Sequence, residues 1–152
     1  MSELSNYDAR SGSLEPVFVI EVQTLPEDTD RILDEIIKVH PLAYGNYGRN
    51  ASISAVGRET ARPNPGSTTD THVAEFEPGQ TETYPMVELK FSVERDLDVL
   101  ALVMDAIISV HHYEEPVIFV REAWASRAAY DPKSANPHRW WNNGRGLPEK
   151  LE

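Results

Sequence analysis

The chain has 152 residues, 14 Lys and Arg against 25 Asp and Glu, a net charge of −11, and no cysteine. Such a length suits one domain with a real core, burying about 68% of the surface exposed by the unfolded chain. The missing thiols exclude disulfide frameworks, thiolate metal sites and cysteine nucleophiles, and an acidic body argues against nucleic acid or an anionic membrane as partner.

The opening, MSELSNYDARSGSLE, is polar and aperiodic, and reads as a flexible lead-in over residues 1–15. It carries neither a basic leader nor an apolar segment, so the expected location is the cytoplasm. PVFVIEVQ (16–23) is rich in Val and Ile and predicts a mostly buried strand. TLPEDTD follows with a proline and three acids, the chemistry of a helix start. Ile32, Leu33, Ile36 and Ile37 then recur at helical spacing, and the helix is expected to run to about His40, where Pro41 stops it.

YGNYGRN (44–50) is turn material and ASISAV (51–56) predicts a short strand. From Arg58 to Thr83 the chain turns polar, with three prolines, and is expected to be a loop; loops of this length are commonly functional. MVELKFSV (86–93) alternates cleanly, which predicts a half-exposed strand. A second helix is expected from about Arg95 to His111 on the stripe Leu97, Leu100, Val103, Met104, Ile107 and Ile108, followed by a fourth strand in PVIFVREAW. The order strand, helix, strand, loop, strand, helix, strand is that of the ferredoxin-like split β-α-β fold over residues 16–125. This is an α+β class, with a four-stranded antiparallel sheet and two helices on one face.

HHYEEP (111–116) combines two histidines and two carboxylates, the donors of a metal site. An internal repeat argues otherwise. DEIIKVH (34–40) and DAIISVH (105–111) share Asp, Ile, Ile, Val and His, and end the two expected helices. His40 and His111 therefore take equivalent places, where a histidine meets the last open carbonyls and the negative end of the dipole. His111 and His112 diverge as neighbours, and Glu114 and Glu115 alternate across a strand entry, so no metal ligand and no catalytic carboxylate pair is assigned.

The turn HHYEEPVIFV resembles the His-Pro-Tyr-Glu-x-Pro turn before the last strand of CutA proteins. It also resembles that turn in the small PII-like domain inserted in dinuclear-metal proteins of the Ngg-interacting-factor family. GNYGRNASISAVGRETARPNPGS is similar to the Gly-Asn-Tyr segment of that inserted domain, with Gly45, Asn46, Tyr47, Gly57, Arg62, Pro63 and Pro65 as landmarks. Gly48, Arg49 and Asn50 stand where the insert has Ser, His and Cys, and His112 replaces the motif's proline. The resemblance implies a PII/CutA-like fold standing free of the metal-binding main domain. It also implies a homo-oligomer, with a trimer favoured, and a functional loop between the second and third strands.

Arg49, Arg58 and Arg62 cluster around the second strand and the loop base in an otherwise acidic body. They either bind an anion or pair with nearby acids. The expected ligand contacts are Tyr47, Arg49, Arg58, Arg62, Tyr113 and Glu114, with no catalytic residue and no cofactor. The leading expectation is a non-enzymatic, oligomeric module that recognises a small anionic molecule or a protein partner. The alternatives are a small pathway enzyme on the same scaffold and a CutA-like protein that binds divalent metal. Residues 126–152 lie outside the resemblance; their Trp140 and Trp141 pair predicts a tail docked as a strap on its own or a neighbouring subunit.

Overall fold

The computed structural model describes residues 2–68 and 79–147. The chain divides into two compact units, one of Pro16–Ala123 and one of Met1–Glu15 with Trp124–Glu152. Its strands are β1 (Asp8–Ala9), β2 (Gly12–Thr24), β3 (Ser52–Ile53), β4 (Gly57–Ala61), β5 (Glu82–Glu94) and β6 (Ile118–Ala128). Its α-helices are α1 (Thr29–Ile37) and α2 (Leu97–Val110).

In the Pro16–Ala123 unit, β2 and β5 pair antiparallel from Val17↔Glu94 to Thr24↔Val87. β3 pairs with β5, and β6 pairs with β2. The order of β6, β2, β5 and then β3 with β4 is the ferredoxin-like one. Alternation puts Phe18, Ile20 and Val22 of β2 opposite Val93, Phe91 and Leu89 of β5, all buried on one face. Ile32, Leu33 and Ile36 of α1 and Val103 and Ile107 of α2 close over them. Each such side chain contributes about 1.5–3 kcal/mol by leaving water. Asp96 caps α2, its carboxylate accepting from the N–H groups of Asp98 and Val99.

The departures from expectation have local causes. α1 ends at Ile37 and not His40: the N–H groups of Val39 and His40 both turn back to Ile36 O, and Pro41 disfavours helix in the residue before it. The second strand is broken in two. Ile53 pairs with Leu89 but Gly57 pairs with Met86, so three residues on one side face two on the other, a β-bulge. Ser54 holds the bulge; its hydroxyl accepts the Glu88 N–H and its own N–H donates to Glu88 O.

Beyond the bulge, Gly57–Ala61 and Glu82–Met86 form a two-stranded arm where a loop from Arg58 was expected. Pairing of β5 with β2 stops at Val87, so Pro85, which has no N–H to donate, sits in the arm and not in the sheet centre. Residues 69–78 of the expected loop lie outside the described residues.

In the other unit, the expected lead-in is structured. Glu3–Asn6 form a 3-10 turn capped by Ser2, and β1 folds back on β2 through Asp8↔Ser13 and Ala9↔Gly12. Ala129 N–H donates to Ser11 O, tying the hairpin to the segment after β6. Tyr130, Trp140 and Trp141 then meet edge-on or tilted at centroid distances of 5.3–6.1 Å. Asn142 Nδ2 donates to the carbonyls of Ser134 and Asn136, which closes the tail into a compact loop.

Candidate functional site

The two repeat histidines are built alike. His40 Nδ1 accepts the N–H of Leu42 at 3.0 Å, and His111 Nδ1 accepts the N–H of Tyr113 at 3.0 Å. Each ring must therefore carry its proton on Nε2. His40 Nε2 donates to Glu94 Oε2 at 2.7 Å, and His111 Nε2 donates to Gln23 O at 2.8 Å. Both histidines thus use both nitrogens to pin a helix exit to a neighbouring strand. The first pin also holds buried Leu42 at φ 48°, a left-handed conformation that costs a leucine about 1–2 kcal/mol. Among the described residues no group of three or more His, Asp and Glu side chains converges as a metal site.

Burial holds the His111 ring below its ordinary value of 6.5. As pH falls the unfolded chain takes up this proton first, so the stability due to His111 is complete above pH 6.5 and drains away below it. Urea midpoints should fall on going from about pH 7 to about pH 5, and His111→Asn should flatten that fall. An equally steep fall in the variant would remove His111 as the cause.

Tyr113 follows the pin. Its hydroxyl donates to Glu59 Oε2 at 3.0 Å, and its ring meets Tyr84 edge-on at 5.8 Å. Glu59 and Tyr84 are directly opposite on the arm, so one face of the arm is bound to the HHYEEP turn. Burial first, and the Glu59 carboxylate second, push the Tyr113 phenol far above its usual range. Glu114 Oε2 accepts from both the N–H and the hydroxyl of Thr68, which ties the chain that leaves β4 to the same turn. Near the same turn, Asp28 is buried; its Oδ1 lies 3.3 Å from Arg31, and its Oδ2 lies 2.6 Å from His112 Nδ1 without hydrogen-bond alignment. Arg31 Nη1 lies 2.8 Å from His112 Nε2, closing a three-membered ring of contacts.

The six expected contact residues therefore fall in four places. Tyr47 is 76% exposed in the Tyr44–Tyr47 turn. Arg49 is held by α1, 2.7 Å from Asp34 and 3.4 Å from Asp30. Tyr113 and Glu114 grip the arm and its connection. Arg58 lies on the opposite face of the arm, because Arg58 and Thr60 alternate with Glu59 along β4, and Arg62 follows one residue past the strand's end. Arg31, Arg49 and Arg121 each meet a carboxylate, but Arg58 and Arg62 meet none among the described residues. Arg62 instead donates to the Thr81 hydroxyl at 3.1–3.2 Å. The sequence reading missed Asp28, Arg31, Glu59, Thr68 and Tyr84. Only the alternation of Tyr84 with Pro85 and Glu59 with Arg58 hinted at two faces.

No protein-family model matches this sequence, and no curated protein matches it. Among solved structures the chain is similar to a Bacillus cereus protein related to NIF3, with 18% identity, a TM-score of 0.57, and coverage of 76% of this chain and 28% of that one. The chain thus spans well under half the length of that protein. CutA1 from Oryza sativa aligns with 15% identity, a TM-score of 0.50, and coverage of 76% of this chain and 84% of that one. A PII-like protein, CPII from Thiomonas intermedia K12, aligns with 12% identity, a TM-score of 0.46, and coverage of 76% and 98%. The fold is PII/CutA-like, an α+β arrangement of an antiparallel sheet with two helices. Among the described residues no helix is long and apolar enough to cross a membrane.

Proposed function

We propose that this chain is a PII/CutA-like binding module that takes a small multivalent anion on the arginine face of the β4–β5 arm. The observation that supports it is the pair Arg58 and Arg62, without an acidic partner among the described residues, in a stretch of chain carrying 22 acids over residues 1–124. Four residues of chain separate them by at most about 14 Å, a span open to an anion with two charged groups. Guanidinium forks give such groups bidentate contacts. Thr60 and Thr83, directly opposite each other on the same face, add hydroxyls between the two cations. Tyr113, Glu59 and Glu114 hold the arm in place from behind and are positioning residues in this reading. A thermal-shift series with inorganic phosphate, pyrophosphate, citrate and a nucleoside triphosphate tests it. A rise in melting temperature with the multivalent anions, reduced by added salt, is expected. No rise with any of the four would sink the proposal.

A further inference from the structure

The unit formed by Met1–Glu15 and Trp124–Glu152 holds a polar cavity of its own. The segment after β6 folds around a cavity of about 250 Å³ lined by Ser11, Asp131, Ser134, Asn136, Arg139 and Trp141. Its chemistry is unusual for a terminal loop. Asp131 is only 4% exposed, and is held by Arg10 Nε at 2.8 Å on one oxygen and the Lys133 N–H at 3.0 Å on the other. Each carboxylate oxygen keeps a second lone pair. Arg139 Nε and Trp141 Nε1 are buried donors with no hydrogen-bond partner among the described residues. Unmet buried donors are costly, and two of them beside one cavity call for an acceptor. The balance of Arg10, Asp131 and Arg139 is one positive charge, which favours an anion.

We infer that this cavity binds a small hydroxy- or amino-carboxylic acid. The carboxylate accepts from the Arg139 guanidinium and the Trp141 indole N–H, and the neighbouring hydroxyl or ammonium donates to Asp131. The volume suits a molecule of amino-acid size and excludes a nucleotide. Trp140, 64% exposed and not part of the lining, is the built-in control.

L-lactate and L-serine, titrated into the full chain, should change tryptophan emission in a saturable way, whereas isopropanol and ethylamine, which lack the carboxylate, should not. Equilibrium dialysis with radiolabelled lactate gives the affinity of each variant. Arg139→Ala should weaken it about tenfold or more, and Trp140→Phe should leave it unchanged. Should Arg139→Ala disturb the tail fold by circular dichroism, Trp141→Phe serves instead, since it removes the N–H and keeps an aromatic ring. No saturable response to either acid, or undiminished dialysis affinity in a folded Arg139→Ala or Trp141→Phe protein, overturns the inference.

Discussion

Ile107→Ala should cost about 2–5 kcal/mol of folding free energy, and Ile36→Ala about the same. The two isoleucines occupy the same place in the repeat DEIIKVH and DAIISVH, both are fully buried, and both belong to the one cluster that joins the sheet to α1 and α2. A domain of this size has about 5–15 kcal/mol in total, so either change consumes a large share of it. Their neighbours in the repeat separate. Ile37 packs against the core, but Ile108 is 52% exposed. Ile108→Ala should therefore change stability by no more than about 0.5 kcal/mol. Urea unfolding of the three variants, at matched protein concentration, measures this directly. A cost at Ile108 equal to that at Ile107 would mean that the outer face of α2 is buried in the protein as it exists in solution.

Gly12→Ala should be the most damaging small change outside the core. A Cβ built on Gly12 lies 2.3 Å from the carbonyl oxygen of Arg127 and 3.2 Å from the Ala128 Cα. Both are backbone atoms, with no flexible side chain to swing aside. The clash has to be relieved by moving the end of β6 away from the hairpin, which breaks the Ala129 to Ser11 hydrogen bond. A loss on the order of 3 kcal/mol follows if the unit unfolds with the rest, as for other overpacked sites. If it opens alone, the loss appears as faster amide exchange at Ala129 with the core protected. Unchanged stability together with unchanged exchange would show that the close approach is absent in solution.

Periodic patterns carried most of what was legible beforehand. Strands β2 and β5 and both helices follow from apolar residues recurring at period two or near 3.6, because each buries one side against the same core. The repeat also marked His40 and His111 as structural, and each pins a helix exit through both ring nitrogens. What escaped depends on pairings between distant residues. The bulge at Ser54 is a one-residue difference in register between 53↔89 and 57↔86, visible only once two strands are aligned. The Tyr113 to Glu59 bond spans 54 residues, and the Arg10 to Asp131 pair spans 121. A polar lead-in looks loose when its partners lie at the other end of the chain. Arg49 was grouped with Arg58 and Arg62 by nearness in sequence, yet its left-handed backbone at φ 52° turns it toward α1 and its acids.

That last difference provides the sharpest test of the anion-binding arm. The measurement is calorimetric titration of the multivalent anion giving the largest thermal shift, into the parent protein, the Arg58→Ala, Arg62→Ala double variant, and Arg49→Ala. The account predicts that the double variant loses at least tenfold in affinity, roughly one charge-assisted contact or more, while Arg49→Ala binds as the parent does. Equal binding by the parent and the double variant, or a loss in Arg49→Ala alone, would contradict it.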